Sequence, residues 1–393
     1  MDPRRNPYAP GAGTPPPELA GRDEMIERAA IALHRIANGR AAQSQILYGL
    51  RGVGKTVLLQ RIRLEAEDEG YIPVVIEAPE DRSLPAIIGP ALRTTLIRLS
   101  RGEAARNALG KALGALASFA RSARVKYQDV EFNVDFEGLP GVADSGDLET
   151  DLTDLLRAVG EAAAERRTAV VLFIDELQYV PGVQLAALIS ALHSASQRQL
   201  PITLVAAGLP QLLGQMGRAK SYAERLFEFL PIGPLGPESA RQALAVPAAH
   251  EAVQFEAAAL DEIVRQTQGY PYFLQEWGKH VWSEAERSPI THANALRATE
   301  VALAELDASF FRVRFDRLTP AEKRYVRAMA QLGSGPHRSG DIAELLGKKN
   351  SAVAPVRSRL ILKGMIYSPA HGDTAFTVPL FDSFMRRTMP AFD

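Results

Sequence analysis

The chain has 393 residues, 46% of them hydrophobic and 7% aromatic, with a formal net charge of −1 and no cysteine. That length exceeds what one hydrophobic core usually supports, so we expect two or three domains. Disulfides and thiol chemistry are excluded, and the sequence shows neither a membrane-spanning apolar run nor a signal-peptide segment, which predicts a cytoplasmic protein with no membrane partner.

Residues 1–20 are rich in proline and glycine, a composition that favours extended backbone over a packed core. We predict a flexible or surface-draped arm. The segment Gly21-Arg22-Asp23-Glu24 then opens an amphipathic helix that extends to about Asn38.

A phosphate-binding loop follows this helix. The stretch Gly49-Leu50-Arg51-Gly52-Val53-Gly54-Lys55-Thr56 matches the pattern GxxxxGK[ST], with an apolar run before it and a helical pattern from Val57 onward. Backbone N–H groups would point at phosphates, while Lys55 supplies a cation and Thr56 a hydroxyl for the metal. We therefore predict that residues 49–57 bind a nucleoside triphosphate with Mg²⁺.

Four further apolar runs alternate with helical patterns and predict parallel strands that are covered on both faces. They are residues 71–77, 169–174, 202–207 and 227–232. An insertion at about 83–148 contains two helical patterns, at 84–99 and 103–123. Strict alternation over 130–136 predicts a half-exposed strand there. The role of the insertion stays open between partner contact and scaffold.

The run from Val171 to Ile174 ends in two carboxylates, Asp175 and Glu176. At the tip of a strand, Asp175 would hold the Mg²⁺ shell opposite Thr56, and Glu176 would polarise the attacking water. The alternative is that both carboxylates only cap the following helix.

The second half of the chain is helical. Four helical patterns, at 238–249, 255–268, 272–286 and 293–315, predict a separate bundle. The capping box Thr319-Pro-Ala-Glu322 starts a last module, in which three helical patterns precede a hairpin. That order predicts a winged helix.

Charge favours a polyanionic partner for this last module. From Thr319 onward there are eleven basic and six acidic residues, a net charge of +5, which leaves −6 on the rest of the chain. We predict contact with double-stranded DNA. The candidate contact residues are Lys348, Lys349, Asn350, Ser351, Arg357, Arg359, Lys363 and His371. A protein-docking surface is the alternative.

Together these motifs resemble the AAA+ ATPases, and more narrowly the branch of origin-recognition subunits, archaeal replication initiators and archaeal-type STAND ATPases. Asp175-Glu176-Leu177-Gln178 resembles the DExQ form of the acidic motif in STAND ATPases, and the segment containing Arg22 resembles the one near the adenine. The resemblance implies ATP as the nucleotide, with Arg22 among its contacts.

The resemblance also implies the architecture. A P-loop AAA+ domain of α/β class, with a parallel five-stranded sheet and helices on both faces, would occupy 21–235. An all-α lid bundle would follow over 236–317 and a winged-helix domain over 318–393.

Arg225 occupies a position similar to that of the family's arginine finger, just before the fifth strand. A finger stabilises charge on the γ-phosphate, usually across a subunit boundary. Arg225 therefore implies a homo-oligomer, or a protein partner that supplies or receives the finger. A surface arginine or a structural ion pair is the alternative.

Two departures from the family pattern predict slow turnover. The tip of the fourth strand offers no polar residue until Gln211, and residues 268–275 lack the Gly-Asp-x-Arg pattern and resemble the Gly-x-Pro lid segment of STAND ATPases. Tyr270 and Tyr272 would pack either against adenine or, with Phe273, Trp277 and Trp282, in the bundle core.

We therefore predict an ATP-dependent molecular switch. It would convert ATP and water to ADP and phosphate slowly or with partner stimulation, and its nucleotide state would control DNA binding. One alternative is a STAND-type signalling or defence ATPase whose winged helix contacts protein. Another is a transcription regulator with a structural ATP site.

Overall fold

The computed structural model describes residues 1–11, 13–99, 106–132, 136–370 and 372–391. Five parallel strands form its central sheet, in the order β2-β3-β4-β1-β5. They are β1 Ser44–Tyr48, β2 Ile72–Glu77, β3 Val170–Asp175, β4 Ile202–Gly208 and β5 Phe227–Pro231. The predicted parallel five-stranded sheet is confirmed. Since all strands run the same way, the ends of β1, β3 and β4 meet at one edge, which we call the carboxyl edge.

Helices cover both faces of the sheet, as predicted. On one face lie α1 Asp23–Ala37 and α2 Lys55–Asp68, and on the other α3 Leu84–Leu99, α4 Arg106–Lys126, α5 Leu148–Glu165 and α6 Gly182–Gln197. The short helices α7 Gln211–Ala219 and α8 Ala223–Leu226 join β4 to β5. In β3, Leu172 and Ile174 enter the core under α3–α6, while Val171 and Phe173 enter the core under α1 and α2. No helix in the described ranges is long and apolar enough to span a bilayer.

The insertion differs from its prediction. Helices α3 and α4 are part of the main core, but no strand forms in the described residues of 130–136, and 133–135 lie outside the description. The alternation there has another cause, because Val130 is buried against Ala86 and Ala123, and the Phe132 ring lies against Gly89. These two side chains pack against helices rather than against a strand partner, whereas Phe136 is exposed.

The lid bundle contains α9 Pro237–His250, α10 Ala257–Thr267, α11 Pro271–Glu284, α12 His292–Ala308 and α13 Phe310–Asp316. The helix expected over 293–315 is two helices, which break at Ser309. The Ser309 hydroxyl donates to the carbonyl of Glu305, 2.7 Å away, so a local side-chain bond competes with the helix at this point.

The C-terminal module, residues 318–391, has the element order expected of a winged helix. Its elements are α14 Pro320–Leu332, β6 His337–Arg338, α15 Ser339–Leu345, α16 Asn350–Leu362, β7 Ile366–Tyr367, β8 Asp373–Phe376 and α17 Phe381–Thr388. The strands form an antiparallel sheet in the order β6-β8-β7; the sequence patterns missed β6 and α17. The module and the lid share one hydrophobic core, in which the rings of Phe311 and Phe384 stack with centroids 5.3 Å apart.

The N-terminal arm is draped along the lid. Tyr8 is only 4% exposed, with its ring against Gly278 and its hydroxyl donating to the carbonyl of Leu244. Nearer the terminus, Arg5 forms an ion pair with Glu251 at 2.8 Å. Because these contacts lie on two lid helices, the arm has a defined path despite its proline-rich composition.

We expect Tyr8→Ala to release this arm. Removing a buried aromatic ring costs about 3 kcal/mol, so the opened population should rise on the order of a hundredfold. Trypsin cleavage after Arg5, followed by mass spectrometry, measures that population. Tyr8→Phe keeps the ring, loses one hydrogen bond worth about 1 kcal/mol, and should be cleaved only slightly faster than wild type. Equal rates for wild type and Tyr8→Ala would contradict the anchoring role.

Candidate nucleotide site

The loop between β1 and α2 has the backbone that its glycines predict. Gly54, directly before α2, has a φ of 88°, in the left-handed region that favours glycine. A Cβ on Gly49 would lie 2.0 Å from the carbonyl oxygen of Ile232, so only glycine permits this close approach. The first turn of α2, with its free N–H groups, thereby borders a cavity.

Lys55 places a buried amino group at the cavity, where it could bind an anion. Its side chain is 7% exposed, and its Nζ donates to the carbonyl oxygen of Leu50 at 2.8 Å. Burial lowers the pKa of Lys55 to about 8, although the carboxylates of Glu176 and Asp175 act in the opposite direction. A phosphate at this position would stabilise the charged ammonium that burial disfavours.

Thr56 and Asp175 form a paired oxygen site. The Thr56 hydroxyl donates to Oδ2 of Asp175 at 2.6 Å, which joins the phosphate loop to the tip of β3. Burial raises the pKa of Asp175, and the hydrogen bond from Thr56 opposes this rise. A hydroxyl beside a carboxylate is the hard-oxygen ligand set that Mg²⁺ prefers, so the residues fit the ion that the sequence predicts.

Glu176 lies at the same edge in a strained backbone, with a φ of 53°. Its carboxylate accepts a hydrogen bond from the Gln178 side-chain amide. The other end of this amide, Oε1, accepts from the backbone N–H of Leu209 at 3.0 Å. Gln178 therefore connects Glu176 to the end of β4, where the sequence offers no polar side chain of its own.

The cavity over the phosphate loop has a volume of about 360 Å³, within the range of small-ligand sites. Its walls come from the arm, the phosphate loop, the lid and α13. The charged residues that line it are Glu18, Arg22, Arg51, Lys55, Glu176 and Arg314. Four cations against two carboxylates suit a polyanionic ligand.

Arg22 has a structural role in this wall. Its Nη2 donates to the carbonyl of Val53 at 3.1 Å and to that of Gly233 at 2.6 Å. It thereby ties the phosphate loop to the segment after β5. Arg22 also lines the cavity, so the predicted contact with the nucleotide stays a prediction.

The aromatic residues of the lid were expected to pack either against adenine or in the bundle core, and the structure places them in both regions: at the cavity and in the core. Tyr272 lines the cavity, stacks on Phe310 with centroids 4.9 Å apart, and donates its backbone N–H to the carbonyl of Gly52. Tyr270 is partly buried against the lid and sheet cores. The remaining three, Phe273, Trp277 and Trp282, are buried in the bundle core.

The C-terminal module contacts the phosphate loop directly. The backbone N–H of Arg51, predicted to face the nucleotide, donates to the carbonyl of Thr377 at 3.0 Å. The Arg51 guanidinium donates to the hydroxyl of Tyr179 at 2.9 Å and lies against Gly364, where an added Cβ would be 2.9 Å away. One residue of the loop thus touches both the module and the segment after β3.

Arg225 is exposed on α8, before the amino end of β5. The cavity lies beyond the carboxyl end of that strand, a five-residue length or roughly 17 Å away. Arg225 is therefore too far away to reach a nucleotide in its own chain's cavity, and its role as a finger stays a prediction.

The eight DNA candidates separate into three groups. Lys348, Lys349, Asn350 and Ser351 are exposed at the turn into α16. Arg357 donates to Thr374, Ser368 and Asp373 and so fixes α16 to the hairpin, while Lys363 and Arg359 pair with Glu322 at 2.7 and 3.6 Å. Glu322 is fully buried and needs these cations. His371 lies outside the described residues.

Two known families match separate parts of the chain, one in the N-terminal half and one at the C-terminal end. Residues 18–205 match the model of a family described as an AAA ATPase domain, and residues 308–385 match a domain of unknown function. The first match confirms the resemblance that the phosphate loop and the acidic strand carried. The second begins at 308, so α13 belongs to the same family unit as most of the C-terminal module.

Individual relatives are distant. An uncharacterised HTH-type transcriptional regulator of Methanocaldococcus jannaschii is 23% identical over 91% of this chain and 86% of its own length. A Walker-type ATPase of Pyrococcus abyssi matches in structure, with a TM-score of 0.59 and 15% identity over 95% of this chain and 97% of that one. The Orc1 protein of Aeropyrum pernix, solved with DNA, has a TM-score of 0.47 and 16% identity over 95% and 94%.

Two features of the site were not predicted from the sequence. The first is the contact of the Gln178 amide with the end of β4, since Gln178 was recognisable only as part of the DExQ motif. The second is the position of Arg314 in the cavity wall, which has little signal in the sequence because the residue lies in a helix far from either nucleotide motif.

Proposed function

We propose that the protein is an ATP-driven switch whose nucleotide state controls DNA binding by the C-terminal module; the match of residues 18–205 to the AAA ATPase domain family supports ATP as the nucleotide. The observation that carries this proposal is the hydrogen bond from Arg51 of the phosphate loop to Thr377 of the module. A ligand that reorders the loop must also act on this contact.

The site residues divide the work of binding and hydrolysis. Lys55 and the N–H groups at the start of α2 would hold the phosphates, and Thr56 and Asp175 would hold Mg²⁺. The bound ion would neutralise charge that develops on the phosphate oxygens. Glu176 accepts a proton from the attacking water.

One feature favours slow hydrolysis. The chain places Arg225 away from its own cavity, so Arg225 could act as a finger only on the nucleotide of a second copy of the chain or of a protein partner. A site that waits for such a partner suits the holding of ATP as a signal. Gln178 engages one oxygen of the Glu176 carboxylate and leaves the other oxygen to accept a proton from water.

The exposed turn into α16 supports double-stranded DNA as the partner. Lys348 and Lys349 stand beside Asn350 and Ser351, so cations for phosphates lie next to polar groups that suit base edges. The relative described as an HTH-type regulator matches over nearly the whole chain, which adds support.

We expect Lys348→Ala/Lys349→Ala to lower DNA affinity and to reduce the salt dependence of binding. Two lost phosphate contacts should reduce the slope of log affinity against log salt by about 2. Fluorescence anisotropy with random duplex DNA, at several salt concentrations and with ATP, ADP or no nucleotide, measures both quantities.

The matched control is Lys111→Ala/Lys126→Ala, which removes the same charge from exposed positions on α4. This control should bind DNA as wild type does. If both double variants behave alike, or if wild-type binding is insensitive to salt and nucleotide, the DNA interface is wrong.

A STAND-type signalling ATPase is the second candidate, in which the module contacts protein. It is favoured by the module's position on the phosphate loop and by the internal pairing of Arg357 and Lys363. Absence of DNA binding together with nucleotide-dependent exposure of the module would support it. Tight ATP binding without phosphate release would instead favour a regulator with a structural ATP site.

A further inference from the structure

Arg314 is a cation in the cavity wall, and it has no anionic partner among the residues that the structure describes. It is half-buried on α13 and lines the same cavity as Lys55 and Glu176. Its Nη1 donates to the carbonyl of Phe310 at 2.6 Å, and its guanidinium carbon lies 3.9 Å from the centre of the Phe310 ring. Within the described ranges no carboxylate forms an ion pair with it.

The neighbouring charges make this position unfavourable without a ligand. Burial, and then the nearby Arg51 guanidinium, lower the pKa of Arg314 to about 10. Arg317 adds a third positive charge to the neighbourhood. A multivalent anion would offset this repulsion, and a guanidinium can donate two parallel hydrogen bonds to a phosphate.

The adjacent face of α13 is packed into the C-terminal module. Phe311 stacks on Phe384 of α17, and Phe315 lies edge-on to the same ring at 5.8 Å. Phe310 and Arg314 face the cavity, while Phe311 and Phe315, one position along, face the module. A force on Arg314 is therefore transmitted to the module through one short helix.

We propose that Arg314 binds the terminal phosphate of a nucleoside triphosphate and is the residue through which the C-terminal module distinguishes triphosphate from diphosphate. The inference rests on the proposed function in taking ATP as the ligand. It goes beyond that function because neither nucleotide motif contains this residue, and because it assigns the sensing of the terminal phosphate to α13.

Equilibrium binding tests this proposal. In wild type, Arg314→Gln, Arg314→Lys and Arg312→Gln, the affinities for a non-hydrolysable ATP analogue and for ADP are measured with Mg²⁺ by fluorescent-nucleotide displacement. Arg314→Gln should lose roughly tenfold to thirtyfold in affinity for the triphosphate and less than about threefold for ADP. Arg314→Lys keeps the charge but loses the pair of parallel N–H donors, so its triphosphate affinity should lie between those of wild type and Arg314→Gln.

Arg312→Gln is the control, because Arg312 is exposed on the same helix and pairs with Asp316 within it. It should match wild type for both nucleotides. Hydrogen exchange supplies a second readout: the analogue, but not ADP, should change protection of α13 and α17 in wild type and should lose this effect in Arg314→Gln.

The outcomes separate this inference from the proposed function. Wild type that binds neither nucleotide overturns both. Wild type that binds ATP, together with an Arg314→Gln variant whose preference for the analogue over ADP is unchanged, overturns the role of Arg314 alone. An equal loss of affinity for the analogue and for ADP in Arg314→Gln also overturns that role. If Arg314→Gln is too unstable to test, the ratio of analogue affinity to ADP affinity in Arg314→Lys decides between the same outcomes.

Discussion

Lys55→Ala is expected to abolish measurable ATP binding. The variant removes the one ammonium that the phosphate loop carries, and a charge-assisted hydrogen bond to phosphate contributes about 1.5–3 kcal/mol. Loss of the bond, with less screening of repulsion between phosphates, should raise the dissociation constant at least about a hundredfold. Calorimetric titration with ATP and Mg²⁺ measures it.

The folded state provides an internal check on this variant. Burial lowers the pKa of Lys55, so the folded chain disfavours its charge and does not depend on it. Lys55→Ala should therefore melt close to wild type without nucleotide, and should lose only the stabilisation that ATP adds. The matched control, Lys111→Ala at an exposed position on α4, should keep full affinity. Unchanged ATP affinity in Lys55→Ala would place the nucleotide elsewhere.

Glu176→Gln is expected to keep ATP binding and to stop turnover. The amide preserves the size of the side chain but cannot accept the proton of the attacking water, so phosphate release should fall by about 10²–10⁴-fold. Affinity should change by less than about threefold, because Thr56 and Asp175, rather than Glu176, supply the oxygen pair for the metal. Phosphate release and nucleotide affinity are measured on the same preparation.

Glu77→Gln is the matched control for this variant. Glu77 ends β2, pairs in register with Asp175, and does not line the cavity. Its loss should leave turnover unchanged. Persistent turnover in Glu176→Gln, with Glu77→Gln normal, would assign the proton acceptor to another residue and refute the role of Glu176.

The residues of the candidate nucleotide site could be picked out of the sequence because their signals are local. A phosphate loop needs glycines, lysine and threonine at fixed spacing, and the apolar run before Asp175 belongs to a strand buried on both faces. The residues that the loop and β3 contribute do meet, since Thr56 donates to Asp175. The contact between these two motifs follows from one rule, which is that the carboxyl ends of parallel strands meet at the same edge of a sheet.

The rest of the site depends on contacts between distant segments. Nothing near Arg51 in sequence indicates that Thr377 accepts its N–H, and nothing near Arg314 indicates a cavity. Alternation over 130–136 also misled, since helices pack against Val130 and Phe132 without a strand partner, while Phe136 is exposed. Such contacts are set by tertiary packing, which no local pattern records.

The shared core of the lid and the C-terminal module has a mechanical consequence. Separating the lid from the module would expose this shared apolar core to water, so any movement relative to the sheet should carry both together. The pivot lies between Gly233, which Arg22 holds to the phosphate loop, and Leu235, whose N–H donates to Gly269 of the lid. A movement of the lid relative to the sheet would therefore turn about residues 233–235, and it would carry Lys348 and Lys349 with it.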